Sequence, residues 1–162
     1  MMIRQLSSFN RYVEMYENIL IPTDGGRKAK KAAAHGIELA STLDATIHSL
    51  YVMDLPGAPR TPYIYRDEEN VKREYREYGE EVTGEIREMA EEAGVECVTA
   101  VEQGSVHEGI VDYADEEGID LIVIVAGYRG KFGGLMSTTT EKVVRSANVP
   151  VTSLRMGGVR RL

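Results

Sequence analysis

The chain has 162 residues, 43% of them hydrophobic, enough for one domain that buries about two-thirds of its unfolded surface around a single core. Its 26 acidic and 19 basic residues leave a net charge of −7, which argues against the broad basic face that nucleic acid or an anionic membrane surface requires. The single cysteine, Cys97, excludes an internal disulfide and a paired-cysteine metal site, and fits a reducing cytoplasm.

No apolar run approaches the ~20 residues of a membrane span, and the opening "MMIRQLSSFNRYVE" lacks the apolar stretch of a secretory signal. A cytoplasmic location is therefore expected. Residues 1–14 read as a disordered extension and 156–162 as a tail, leaving one domain over 15–155.

The first strand is predicted over Asn18 to Thr23, "NILIPT", stopped by the Asp-Gly-Gly that follows. A helix over Arg27 to Thr42 carries Ala29, Ala33, Ile37 and Ala40 on one stripe, with Gly36 permitting close packing. Ala45 to Asp54 is the second strand, and the proline-rich stretch after it is loop. From Asp67 to Ala93 a long helix is predicted, because Val71, Tyr75, Tyr78, Val82, Ile86, Met89 and Ala93 recur three or four apart.

Gly94 ends that helix, and "VECVTAVEQG" is the third strand, with Cys97 read as a small packed side chain. Ser105 and Glu108 have the spacing of a capping box, opening a helix that Gly118 closes. "IDLIVIVAG", Ile119 to Gly127, is continuously apolar, as a parallel strand covered on both faces must be. A last helix over Ser137 to Ala147 and a fifth strand, "VPVTSL", complete the chain.

Strictly alternating strands and helices define an α/β fold: a single open, doubly wound parallel sheet with helices on both faces. Such sheets bind ligands at the carboxyl ends of their strands, where the strand order reverses. The candidate ligand groups are therefore Pro22 to Gly26, after the first strand, and Gly127 to Thr140, after the fourth.

The segments "NILIPTDGG", "HSLYVMD", "GSVHEGIVDYADEEGIDLIVIVAG" and "TEKVVRSANVPV" resemble, in order and spacing, the universal stress protein family, from Met15 to about Leu154. The resemblance implies a five-stranded sheet of order 3-2-1-4-5 and a homodimer in which the last strand, here Val149 to Leu154, pairs across a two-fold axis. Many members bind ATP and others bind no nucleotide.

The ATP-binding members carry Gly-x2-Gly-x9-Gly-Ser/Thr after the fourth strand. Gly127 and Gly130 match the first two glycines, but Ser137 stands at the third and Thr138 at the hydroxyl position, separated from Gly130 by only the six residues Lys131 to Met136. The resemblance also places Pro22, Thr23 and Asp24 beside the nucleotide, with Asp24 facing ribose or adenine, and Ile47 at the position whose main chain contacts adenine.

This turn admits two readings. Main-chain amides and the hydroxyls of Ser137, Thr138 and Thr139 suit a phosphate at a helix N-terminus, with Arg129 and Lys131 nearby to neutralise charge. Alternatively, Ser137 or Thr138 simply caps the helix and Asp24 caps the first one, roles that need no ligand. His35, His48 and His107 fall on three elements without metal spacing, and no metal site is expected.

Neither G-x-x-x-x-G-K-[ST] nor G-x-G-x-x-G after the first strand is present, and no Ser/His/Asp or Cys/His set converges on the crevice. A dedicated catalyst is not indicated; at most, slow hydrolysis of a held ATP is expected. Two functions follow: a homodimeric stress-response protein that binds ATP, with magnesium, as a sensor or switch acting on a protein partner; or a nucleotide-free dimeric interaction module.

Overall fold

The computed structural model describes residues 16–55, 68–126 and 138–155. Asn18–Pro22 forms β1, Arg27–Leu43 α1, Thr46–Met53 β2, Glu68–Glu92 α2, Cys97–Gln103 β3, Val106–Glu116 α3, Leu121–Ala126 β4, Thr139–Ser146 α4 and Val151–Arg155 β5. The five strands form one sheet of order β3-β2-β1-β4-β5, all pairs parallel, as expected. Asn18 to Pro22 pair with Thr46 to Leu50, and Ile19 and Leu20 pair with Leu121 and Ile122.

Continuous apolar sequence in the central strands follows from burial on both faces. Ile19 and Ile21 point into one layer with Ala33 and Ile37 of α1 and Ile86 and Ala90 of α2. Leu20, between them, points into the other layer with Ile110 and Tyr113 of α3 and Val143 of α4. Each fully buried Ile, Leu or Val among them contributes about 1.5–3 kcal/mol of transfer free energy.

The alanine stripe of α1 is buried as predicted: Ala29, Ala33, Ile37 and Ala40 face the sheet, joined by Ala32 and Gly36. The helix lies so close to β1 that a Cβ on Gly36 would stand 2.7 Å from Ile21 Cδ1. The stripe of α2 is buried only in part. Val82 and Ile86 are covered and Met89 partly so, but Tyr75 and Tyr78, nearer its start, are 37% and 43% exposed. At the other end Ala93 is exposed, while Ala90, outside the predicted stripe, is buried. A helix of 25 residues extends about 37 Å, whereas the 8-residue β2 beneath it runs only about 26 Å.

Capping also departs from expectation. Ser105 is the residue before α3, but its Oγ lies 3.1 Å from His107 Nδ1 and makes no cap bond, so the box with Glu108 does not form. Thr138 does cap α4: its Oγ1 accepts from the Glu141 N–H at 3.2 Å.

A buried polar chain ties β1, β2 and α3. Asn18 Oδ1 can only accept, so His48 Nε2, at 3.0 Å, carries the ring proton; Nδ1 then takes the Tyr113 hydroxyl at 2.8 Å. Burial lowers the His48 pKa from its ordinary value, against a smaller opposing effect of Glu117. Burial also pushes the Tyr113 hydroxyl up to about 12.

Candidate nucleotide-binding site

β1, β2 and β4 end on the same side of the molecule, and β1 and β4 are the pair across which chain order reverses. A cleft of about 240 Å³ opens there. Its walls are apolar: Leu50 and Val52 from β2, Ile124 from β4, and Val106 and Ile110 from α3. Its rim is polar, with Thr23, Asp24 and Lys28 on one side and Thr139 and Thr140 on the other.

Two side-chain turns shape the first rim. The Thr23 N–H donates to the Leu50 carbonyl at 2.9 Å, extending the ladder one residue beyond β1. Thr23 Oγ1 then accepts from the Gly25 N–H at 3.0 Å, and Asp24 Oδ1 from the Gly26 N–H at 2.8 Å. Asp24 therefore does not cap α1. Gly26 holds the cap position without a side-chain bond, and the first turn of α1 carries no acidic residue. The amino end of the helix and Lys28 thus lie at the rim, an arrangement chemically able to attract an anion.

The second rim is the start of α4. Thr140 is buried and donates its hydroxyl to the Val125 carbonyl at 2.6 Å, stitching α4 to β4. Thr139 is exposed at the cleft, and Thr138, engaged in capping, lies beside it.

Of the residues singled out from sequence, Pro22, Thr23, Asp24 and Thr139 line one cleft. Ile47 does not join them. It is fully buried near the amino end of β2, paired with Ile19 and Cys97, while the cleft lies at the carboxyl end. Leu50, Tyr51 and Val52 are the β2 residues that reach it. Gly127, Gly130, Ser137 and the segment Lys131 to Met136 lie outside the described residues, as does Arg129.

Sequence reading missed Lys28, Val106 and Ile110 as well as the end of β2. Strand direction was the available signal for β2, since only its last residues face the ligand side of a parallel sheet. Burial pushes the Cys97 thiol up to about 11, the behaviour of a packed side chain rather than a reactive one. Among the described residues, no three His, Cys, Asp or Glu side chains gather as a metal site, and no helix is long and apolar enough to cross a membrane.

A parallel sheet of order 3-2-1-4-5 with a polar-rimmed cleft at its switch point defines an open α/β module of the doubly wound class. Residues 15–155 match the model of the universal stress protein family. A universal stress protein of Methanocaldococcus jannaschii is 33% identical over 144 residues, covering 85% of this chain and 81% of the relative. The chain belongs to the universal stress protein family.

Among solved structures, universal stress protein UspA from Lactobacillus plantarum superposes with a TM-score of 0.75 at 25% identity, covering 86% of this chain and 98% of that one. The universal stress protein from Archaeoglobus fulgidus in complex with dAMP has a TM-score of 0.59 at 23% identity, with 86% and 98% covered.

Proposed function

We propose that the chain binds an adenine nucleotide in this cleft and acts as a homodimeric, cytoplasmic sensor whose occupancy alters a surface read by a protein partner. The observation that carries the reading is an apolar-walled cleft at the switch point whose rim, among the described residues, holds one carboxylate, Asp24, and one cation, Lys28. Apolar walls suit a base, the carboxylate suits ribose hydroxyls, and Lys28 with the α1 terminus suits phosphate. The dAMP bound by the Archaeoglobus fulgidus neighbour supports the adenine class.

In this reading Gly127, Gly130 and Ser137 contribute main-chain amides to the phosphates, and ATP with magnesium is accepted as an extension of the same ligand. The chain is a binding module rather than a dedicated catalyst. The test is a thermal shift with AMP and, separately, with ATP and magnesium. Ligand at 100 times its dissociation constant adds about 2.7 kcal/mol to stability, a shift of several degrees.

One observation favours the second reading, a nucleotide-free interaction module. Thr138 and Thr140 are already engaged, one capping α4 and the other bonded to Val125, so two of the hydroxyls near the phosphate end serve the fold. The absence of any shift at millimolar AMP and ATP would return the protein to that reading.

A further inference from the structure

Tyr78 stands on the half-exposed stretch of α2, yet its hydroxyl is engaged with the main chain of the cleft rim. It donates to the Asp24 carbonyl at 2.7 Å, joining residues 54 apart in sequence. Gly25, the next residue, has φ +84°. A Cβ there would collide with the Tyr78 hydroxyl and come within 2.6 Å of Val82 Cγ1, so the left-handed turn and the approach of α2 both require glycine at this position. Tyr51, itself a cleft residue, packs edge-on against Tyr78, with ring centroids 5.5 Å apart and planes at 76°.

These contacts fix the carbonyl side of Asp24, while its Oδ1 is held by the Gly26 N–H. Its Oδ2 takes no hydrogen bond among the described residues. We propose that Tyr78 is a positioning residue for ligand binding: by anchoring the Asp24 main chain from α2, it sets the direction in which the free carboxylate oxygen is presented to the cleft. The inference rests on the nucleotide reading above and adds to it a residue that lies outside the cleft lining.

The test is calorimetric titration of the full chain with AMP. Tyr78→Phe keeps the ring against Tyr51 and removes only the hydroxyl, and should weaken binding about fivefold, the net effect of one hydrogen bond. Asp24→Ala weakens binding more. In the Asp24→Ala background, Tyr78→Phe should cost nothing further, because its route to the ligand is gone. Additive losses in the double variant, or wild-type affinity in Tyr78→Phe, overturn the inference.

A tyrosine that merely supports the fold would lower melting temperature without this non-additivity. Amide exchange on the ligand-free protein adds an independent arm: the Gly26 N–H, bonded to Asp24 Oδ1, should exchange about fivefold faster in Tyr78→Phe, and unchanged exchange overturns the positioning role. If wild-type protein binds no AMP at millimolar concentration, the nucleotide reading falls and this role with it. If wild type binds and Tyr78→Phe binds equally, only the role of Tyr78 falls.

Discussion

His48 is buried with both ring nitrogens engaged, and a second ring proton would have to displace the hydrogen that Tyr113 donates. Because its folded-state pKa is lowered, the unfolded chain binds the extra proton more readily. This contribution to stability is complete above about pH 6.5, the unfolded value, and is lost progressively as pH falls below it toward the folded value. Urea unfolding should show it as a gap between wild type and His48→Gln that narrows on acidification from pH 7.5 to pH 5. At neutral pH Tyr113→Phe should cost about 1–3 kcal/mol in the same assay, since it leaves His48 Nδ1 buried without a donor.

Turn chemistry in the sequence marked residues that the fold brings to the cleft, whereas family spacing alone marked Ile47, whose side chain stays in the core. Pro22, Thr23 and Asp24 sit at the end of an apolar run, and a parallel strand can only deliver such residues to the ligand side. Ile47 lies five residues before Val52 on the same strand, roughly 16 Å back along it. Side-chain hydrogen bonds were the least legible: Asp24 and Ser105 both precede helices, yet one closes a two-residue turn and the other meets His107.

At the scale of the element, glycines in two helices make opposing predictions. In α1, Gly36→Ala gains helix propensity of about 1 kcal/mol but drives a methyl into Ile21, an overpacking of about 1–3 kcal/mol, so a net loss near 1 kcal/mol is expected. In α2, a Cβ on Gly84 meets nothing within 4 Å, and Gly84→Ala should stabilise by about 0.5–1 kcal/mol. Chemical denaturation of both variants checks the pair. The heptad-like stripe of α2 predicted the helix correctly but not its coverage, because periodicity reports which residues share a face and not how far the sheet beneath them extends.

For the whole molecule, β5 forms one edge of the sheet, with Val151, Thr152 and Leu154 half-buried and Val144 of α4 52% exposed. An edge strand that pairs on one side only among the described residues, beside apolar surface, favours pairing with a second copy. Sedimentation velocity at micromolar concentration should therefore give a species of twice the chain mass, and a monomer would remove the homodimer from the proposed function. The alternation of elements made the sheet and its winding readable, since a buried parallel strand must be apolar throughout and its crossover must be helical.

β1 gives Ile19 and Ile21 to one hydrophobic layer and Leu20 to the other, so five residues form a party wall between two compartments. Neither compartment can open to solvent without stripping a face of the strand that the other depends on. The protein should accordingly lack a half-open form: amides in both layers should exchange at one common global rate, and a molecule lodged at the end of that wall should slow them together.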